Sequence, residues 1–528
     1  MTVTRRDGLR TVPTQMFVAL PFRVFRGMVL LPVRVFRVVR SQGFHMIHPE
    51  NNKQLFLDDG AIHSMEGVTR TLHPPEKCGP VIRPDQSQNQ TAVQSRSAPI
   101  WNPEKDIWEW WYWGYYTTEP YGPHRNTSIS LSHYATSVDG LTWDTSPLGR
   151  FEWQGNRENN LALDPTEGNR TVYHILRDDR DPDPARRYKG LFSAGDRIVK
   201  VSPDGFVWTA LDVPPVPSQD ESHCTYDEQT EQFVATVKHK TNWGRSVWLC
   251  TSKNFEQWSK PELIFHSDDL DRKNRARRIR EVAENPDYLS PPLIDGTNFI
   301  AEVYQMPILP YEGIYVGFPV LFNPAGAIPP PHMNYTALNQ VELTTSRDLY
   351  QWDRVGNRAL FIGVDPWDGV NYGCAQNLLC GRPHVRDDEI WIYYNAYRFR
   401  GPKELYGDVV DKTYHDDIGA LSLAKLRLDG FVSLDAEQGT VITEPFEWAG
   451  GDLHANATID GELRAELLDP ETGGVMEGFE AGDCEPLQGD HLRARVAWKA
   501  SPPLGRTVQV RFILRDASLY AFWTGQPS

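Results

Sequence analysis

The sequence predicts an all-β protein, a five-bladed β-propeller followed by a small antiparallel β-sandwich. Three observations support this: a hairpin motif recurs along the chain, turn-forming and aromatic residues are abundant, and the strand pattern changes near the C-terminus. Glycine and proline number 40 each, and 17 Trp, 21 Tyr and 22 Phe make 11% of the residues aromatic. Such a composition is typical of chains with many short strands and tight turns.

The recurring motif places Trp six residues after Ser, and Asp or Asn two residues after Ser. Four copies span residues 137–143, 202–208, 252–258 and 346–352, and an eroded fifth copy at 427–433 keeps Asp-Gly but lacks Trp. The Asp or Asn positions are separated by 65, 50, 94 and 81 residues. Asp and Gly favour a tight turn between strands, so each copy predicts a hairpin whose Trp packs on the sheet. Recurrence of one such unit indicates a repeat architecture, and five hairpins predict five blades.

The propeller is expected over residues 45–438. The strand at 54–59 is expected to close the ring against the last blade. The blades then follow at 97–143, 160–208, 220–258, 287–352 and from 367 to the eroded repeat. Within them, apolar or aromatic runs predict strands at 107–113, 187–192, 247–251, 299–304 and 389–394. The basic run at 272–280 is expected to be a solvated helix or loop face, with contact to an anionic substrate as the alternative.

Residues 439–528 are expected to form the β-sandwich. Short strands separated by turns are predicted at 463–468, 492–498, 508–514 and 519–523. Such a domain either supports the propeller or binds glycan, and structural support is the favoured interpretation.

Residues 1–44 form a basic N-terminal extension, with eight Arg and one Asp for a net charge of +7. Arg23, Arg26 and Arg34 interrupt its apolar runs, so we expect no transmembrane span and no clean signal peptide. A disordered or an amphipathic surface segment is expected instead. Secreted, periplasmic and cytoplasmic locations all stay open.

Charge and cysteine spacing exclude some functions. The net charge of −16 argues against a nucleic-acid partner, because a phosphate backbone would be repelled. The six cysteines include no C-x-x-C pair, which argues against a zinc site.

Several stretches resemble the five-bladed propeller glycoside hydrolases, families 32 and 43 and their relatives. They are Phe56-Leu57-Asp58-Asp59, the first hairpin at 135–143, Arg187-Tyr188-Lys189, Ser202-Pro203-Asp204-Gly205, Ser346-Arg347-Asp348 and Leu428-Asp429-Gly430-Phe431. The resemblance covers about residues 50–525. It implies an active site in a funnel at one end of the propeller axis, served by three carboxylates from the innermost strands of the first three blades.

The chain also departs from that family. Blade one has no Trp-Met-Asn-Asp-Pro-Asn signature. Arg180-Asp181-Pro182 spells the second-blade tripeptide but lies in a charged run, and Glu221 precedes Cys224 by three residues instead of adjoining it.

Hydrolysis of a glycosidic bond needs one carboxylic acid to protonate the leaving oxygen and one carboxylate to attack or to activate water. In a propeller these groups should lie just before the innermost strands, where the blades converge. The candidate catalytic residues are Asp85 in blade one, Asp181 (or Asp164) in blade two, Asp220 and Glu221 in blade three, and Asp368 in blade five. The candidate substrate-binding residues are Trp367, His223, Asp287 and Arg187.

The sequence therefore predicts a glycosidase that acts on an oligo- or polysaccharide by paired-carboxylate chemistry. A non-catalytic glycan-binding propeller, a sialidase-like enzyme and a phosphorylase-like enzyme with a basic phosphate pocket stay as alternatives. A sialidase would need three convergent Arg and a Tyr nucleophile, and its Asp-box would place Trp seven residues after Ser. No cofactor is expected, and a structural Ca²⁺ on the propeller axis is left open.

Overall fold

The structure is a computed structural model that describes residues 46–116, 129–167, 171–295, 299–330, 334–401, 405–407 and 417–525. The basic extension predicted at 1–44 lies outside these residues. The described residues all fall in a single unit of the chain. None of the helices in this part of the chain has the length and apolar character needed to cross a membrane.

Strands dominate the described residues, which confirms the all-β prediction. We assign them to an N-terminal set, five consecutive groups and a C-terminal set. The N-terminal set is β1 (Gln54–Leu55), β2 (Ile62–Glu66), β3 (Thr69–Leu72) and β4 (Glu76–Ile82). Group one is β5 (Gln90–Gln94), β6 (Ile100–Asn102), β7 (Ile107–Tyr116) and β8 (Ile129–Ser137). Group two is β9 (Val172–Arg177), β10 (Tyr188–Phe192), β11 (Ile198–Ser202) and β12 (Thr209–Ala210).

The chain continues with group three, which is β13 (Ser222–Asp227), β14 (Gln232–Thr241), β15 (Gly244–Ser252) and β16 (Glu262–Phe265). The helix α1 (Asp269–Glu284) follows. Group four is β17 (Glu302–Gln305), β18 (Ile308–Tyr311), β19 (Ile314–Gly317), β20 (Val320–Ala327), β21 (Tyr335–Val341), β22 (Thr344–Ser346) and β23 (Asp353–Arg354). Group five is β24 (Gln376–Leu379), β25 (His384–Val385), β26 (Glu389–Tyr397) and β27 (Gly419–Arg427). The C-terminal set is β28 (Val432–Thr443), β29 (Phe446–Glu447), β30 (Leu453–Leu468), β31 (Leu487–Val496) and β32 (Thr507–Thr524).

The strands of each group pair antiparallel, and neighbouring groups touch. Groups two and three are four-stranded meanders, group one is built around β7, and group four is divided between the sheets β17-β20-β21 and β18-β19-β22-β23. Groups one and two, two and three, and three and four contact each other through their inner strands. Single parallel bridges join group four to group five (Asn339 with Gln376) and group five to group one (Gly419 with Ala92). Apolar side chains fill the gaps between groups. For example, the rings of Trp110 and Tyr393 lie 5.1 Å apart, between groups one and five.

The recurring motif forms the same turn in its four full copies, which begin at the last residues of β8, β11, β15 and β22. In the first copy, one carboxylate oxygen of Asp139 accepts hydrogen bonds from the backbone N–H groups of Leu141 and Thr142, both at 2.8 Å. The indole of Trp143 donates to the Gly140 carbonyl at 3.2 Å, and Gly140 has a φ of +75°. The same bonds recur around Asp204, Asn254 and Asp348. The hairpin prediction is therefore confirmed, with a defined set of hydrogen bonds as its cause.

The eroded fifth copy ends differently because its strand does not fold back. After β27 the chain passes through Asp429 into β28, which leaves group five for the C-terminal sheet. The strand added to group five beside β27 is instead β4 of the N-terminal set, which pairs antiparallel with β27. Our expectation that residues 54–59 close the ring is therefore wrong, since β1 pairs with β32.

The C-terminal strands form one hydrogen-bonded sheet with three N-terminal strands. The order β2-β28-β32-β30-β31 gives its main path, with β1, β3 and β29 attached to β28 or β32. Strands β30 and β32 are long, at 16 and 18 residues, and their pairing shifts register between Asn456 and Glu462. Such irregularities bend a strand and increase its twist.

The basic run at 272–280 lies within α1. Asp268 caps the helix by accepting hydrogen bonds from the backbone N–H groups of Leu270 and Asp271. Arg275 and Arg278 are buried, and Arg278 pairs with the buried Glu342 at 2.6 Å. The run is therefore only partly a solvated face, because two of its arginines hold the helix against group four.

Candidate functional site

A cluster of charged and aromatic side chains lies where β13 and β17 begin. We call it the Glu221 cluster, and it contains residues from all five groups. Its members are Arg96, Tyr173, Asp220, Glu221, Lys238, Arg245, Glu302, Tyr304 and Arg400.

Glu221 forms the base of the cluster in a buried ion pair with Arg96. The two side chains are 3% and 4% exposed, and the guanidinium binds both carboxylate oxygens, with Nη2 to Oε1 at 2.6 Å. Burial would raise the pKa of Glu221, but Arg96, Lys238 and Arg197 together hold it below its ordinary value. Glu221 is therefore ionised at neutral pH and is not a proton donor there.

Asp220 precedes Glu221 and points the other way, toward solvent. Its side chain is 54% exposed and accepts a hydrogen bond from Lys238 Nζ at 2.7 Å. Its φ is +85°, in the left-handed region that residues other than glycine rarely adopt. This conformation turns two adjacent carboxylates in different directions, one into the core and one outward, and such strained residues are common at functional sites.

Two tyrosines stand beside these carboxylates. Burial raises the pKa of Tyr304 to about 12, helped by the negative charges of Glu221 and Asp220. Tyr173 likewise has a raised pKa, first from burial and then from Glu221. Both phenols therefore stay protonated and can donate a hydrogen bond to a ligand.

Three further cations surround Tyr304. Lys238 Nζ lies 4.2 Å and Arg245 Cζ 5.7 Å from the Tyr304 ring centroid. Arg245 is ion-paired with Glu302, the first residue of β17. Arg245 and Arg400 both lie against the Phe322 ring, with Cζ at 4.9 and 5.3 Å from its centroid.

A second, fully buried layer lies behind Glu221. His174 Nε2 is 2.9 Å from Ser222 Oγ, and the ring of His223 is 5.4 Å from that of His174. Burial lowers the pKa of both imidazoles, that of His223 to about 3. Both are therefore neutral at physiological pH, and neither ring nitrogen of His223 has a hydrogen-bond partner in the described part of the chain.

The open question of an axial Ca²⁺ can be tested against this layer. Ca²⁺ takes six to eight oxygen ligands. The described residues contain no group of three or more His, Cys, Asp or Glu placed to hold a metal, and the two buried imidazoles of this layer offer nitrogen rather than oxygen. These residues alone do not fit a Ca²⁺ site.

The structure brings Asp220, Glu221 and His223 together, whereas the other predicted site residues have other neighbours. Asp181 follows β9 and binds Arg186 and Lys189, which hold its pKa at about 2. Arg187, in the same loop, pairs with Glu104 at 2.5 Å.

The remaining candidates act as caps or pack in group five. Asp85 and Asp164 accept backbone hydrogen bonds from residues two positions ahead. Asp368 accepts hydrogen bonds from the backbone N–H groups of Val370 and Asn371, two and three positions ahead. Trp367 donates its backbone N–H to the Asp287 carbonyl at 2.7 Å, and its ring is 5.6 Å from that of Phe399.

Sequence reasoning missed most of the cluster: Arg96, Tyr173, Lys238, Arg245, Glu302, Tyr304 and Arg400. Glu302 could have been found, because it starts the inner strand of group four just as Glu221 precedes that of group three. The others lie within or after strands, where nothing in the sequence distinguishes them from ordinary strand residues.

Comparison with known proteins gives only distant similarities. No family model matches the chain, and no curated protein matches it. Among solved structures, an N-acetylgalactosamine deacetylase from F. plautii, in complex with blood group B trisaccharide, is 13% identical with a TM-score of 0.39 over 69% of this chain and 96% of its own.

Two other similar structures are of glycosidase type, the class that the hairpin motifs of this sequence resemble. One belongs to the GH130 family of mannoside phosphorylases and glycoside hydrolases, with 12% identity and a TM-score of 0.38 over 67% of this chain and 94% of its own. The other is the catalytic domain of a Coprinopsis cinerea GH62 α-L-arabinofuranosidase, with 10% identity and a TM-score of 0.36 over 67% of this chain and 97% of its own. Similarity at this level assigns no role to any residue of this chain.

Proposed function

We propose that the five strand groups are the five blades of a β-propeller and that the C-terminal sheet folds on itself as the predicted sandwich. The contacts from each group to the next, and from group five back to group one, support the ring. Phe512 and Phe522 lie ten residues apart on β32, about 33 Å along a straight strand, yet their ring centroids are 5.5 Å apart. Strands β1–β3 belong to this second domain although they precede the propeller in sequence.

We also propose that the protein is a glycan-active enzyme that cleaves glycosidic bonds at the Glu221 cluster. The observation that carries this proposal is the adjacent pair at the head of β13. Asp220 is exposed in a strained conformation, and Glu221 is buried and ionised beside it. Glu302, at the head of β17, provides a second carboxylate, which is ion-paired with Arg245 beside Tyr304.

Asp220 and Glu302 are the two carboxylates proposed to exchange protons with the substrate and water. One donates a proton to the leaving oxygen as the bond from the anomeric carbon breaks. The other accepts a proton from the water that adds to that carbon, so the reaction consumes one water. Arg245 binds both oxygens of Glu302 as Arg96 binds both oxygens of Glu221. Glu302 is 19% exposed whereas Glu221 is 3% exposed, so the proposed role of Glu221 is to position Arg96 rather than to exchange protons.

A phosphorylase-like reaction is the second candidate, favoured by the number of cations around Tyr304. Phosphate would then take the place of water, and the product would be a glycosyl phosphate. The cluster does contain three Arg and two Tyr, as the sialidase-like alternative requires, but Arg96 and Arg245 are each paired with a carboxylate of the chain. Among the described residues no feature of the cluster favours the non-catalytic alternative.

The test is a screen of the purified protein on plant and algal polysaccharides and aryl furanosides, with and without phosphate. Asp220→Asn should lower kcat/KM by about 10²-fold or more, the usual contribution of a general acid or base. Asp212→Asn is the matched control, because Asp212 is exposed in the loop after β12. Full activity in Asp220→Asn would refute the assignment, and glycan binding without cleavage would identify a non-catalytic binding protein.

A further inference from the structure

We propose that the glycan bound at the Glu221 cluster carries a negatively charged oxygen group, a carboxylate or a phosphate, and that Arg400 binds this group. The inference deepens the proposed function and depends on it for the glycan. It does not depend on cleavage.

The first argument is the balance of charges in the cluster. Three of its cations each have a carboxylate partner: Arg96 has Glu221, Lys238 has Asp220, and Arg245 has Glu302. Arg400 has none among the residues that the structure describes.

The hydrogen bonds of Arg400 are weak and neutral. Its Nη1 is 3.3 Å from Gln376 Oε1, and its Nη2 is 3.3 Å from Asn334 Oδ1. Its buried Nε has no partner in the described part of the chain. The guanidinium is therefore oriented by two amides and the Phe322 ring but is not neutralised by them.

Arg197 also lacks a carboxylate partner, but it is not available to a ligand. It is fully buried. Its Nε donates to Ser222 Oγ at 2.7 Å, its Nη1 donates to the Ser193 and Gly195 carbonyls, and its guanidinium stacks on Tyr173 at 3.9 Å. Its Nη2 has no partner in the described part of the chain, but this atom is buried and does not reach solvent.

The second argument is the position of Arg400. Since Arg245 and Arg400 both contact the Phe322 ring, their guanidinium carbons are at most about 10 Å apart, the sum of the two distances. Arg400 also acts electrostatically on the Tyr304 phenol, as Glu221 and Asp220 do. It therefore borders the same space as Asp220 and the two free phenols.

An anionic group on a ligand would supply the counter-charge that Arg400 lacks among the described residues. A cation beside low-dielectric walls that has no carboxylate partner in the described part of the chain attracts an anion. The arginine fork matches a carboxylate or phosphate through paired N–H donors.

The experiment compares binding of acidic oligosaccharides with binding of the same oligosaccharides after chemical reduction of their carboxyl groups, which removes the charge and keeps the linkages. Inorganic phosphate is the third probe, and isothermal titration calorimetry measures all three. Wild type should bind the acidic form about tenfold or more tightly than the reduced form, or should bind phosphate, and Arg400→Gln should abolish that preference. Arg400→Lys should recover part of it, because the charge returns without the fork.

Arg280→Gln is the matched control, since it removes the same charge from an exposed position of α1. A preference for the acidic form identifies a carboxylate, and binding of phosphate alone identifies a phosphate. Equal binding of acidic and reduced forms without phosphate binding, or an unchanged preference in a folded Arg400→Gln, would overturn the inference. The proposed function fails separately, if Asp220→Asn keeps its activity or no glycan is cleaved.

Discussion

The buried ion pair between Arg96 and Glu221 makes a prediction that needs no knowledge of the substrate. Glu221→Gln keeps the shape of the side chain and removes its charge. Arg96 would then be a buried guanidinium without a counter-ion, because Glu221 is its one carboxylate partner in the described chain. Lys238 and Arg197 would lose the same neighbouring negative charge.

Removing one partner of a buried ion pair costs about 3–5 kcal/mol, since the remaining charge stays desolvated. Unfolding entropy is about 2.1 cal/mol/K per residue. For a chain of 528 residues this gives about 1.1 kcal/mol/K. The expected drop in Tm is therefore roughly 3–5 °C.

Thermal unfolding and urea unfolding, followed by circular dichroism, measure this loss. The double variant Arg96→Met with Glu221→Leu is the control, because replacing both partners with apolar side chains should recover most of the stability. The folded-state pKa of Glu221 is lowered, so its stabilising contribution is present above the ordinary value of 4.5 and is lost as pH falls through the folded-state pKa. The gap between wild type and Glu221→Gln should therefore close in acid. A Tm within about 1 °C of wild type at pH 7 would refute the account of the pair.

Two further predictions concern the hairpins. Asp204→Ala should destabilise the fold by about 1 kcal/mol, as loss of a cap does. Asp204→Asn should be nearly neutral, because Asn254 makes the same hydrogen bonds in the third copy. Urea unfolding midpoints compare the two variants, and equal losses of stability would contradict the capping role. Asp429→Asn should cost about 3 kcal/mol, the lower end of the range for breaking a buried ion pair. The buried Asp429 pairs with Lys53 and accepts from Tyr311 and Asn456, while Glu312 stays 3.6 Å from Lys53 Nζ as a second, more distant counter-ion. A loss below about 1 kcal/mol would show that Glu312 alone neutralises Lys53.

The sequence sufficed for the hairpins because their cause is local. The Ser, the Asp or Asn and the Trp all make their hydrogen bonds within a stretch of seven residues. The spacing of these three side chains is therefore enough to predict the turn. The turn also explains why Gly is dispensable. Phe255 and Leu349 take its place at φ of +65° and +70°, and both are buried, so apolar packing offsets the backbone cost.

The closing strand could not be predicted in this way. Strand β4 pairs with β27 across more than 330 residues of chain. It contains Gly79 and Pro80, which are typical of turns rather than of strands. The stretch 54–59 has a stronger strand pattern, but it joins the C-terminal sheet, where Phe56 lies 6.2 Å from Phe522. Pairing between distant strands depends on which strand edges stay free after the rest of the sheet has formed, and the hydrophobic pattern of a short segment does not reveal this.

The site was predictable only where its residues are marked by local sequence. Asp220 and Glu221 were found because they precede a clear inner strand. Their partners Arg96 and Tyr304 come from other groups, and only the convergence of the groups brings them within reach. The exposed position of Asp220 depends on its positive φ, which the sequence does not reveal.

The central claim is that the Glu221 cluster binds glycan. The most direct measurement is a crystal structure of Asp220→Asn soaked with a glycan that the wild type binds. We expect a sugar hydroxyl within about 3.2 Å of the phenol oxygen of Tyr173 or Tyr304, with Glu221 still paired to Arg96. A glycan bound instead in the groove of about 630 Å³ lined by Lys425, Arg427 and Arg493, with the Glu221 cluster empty, would contradict the account.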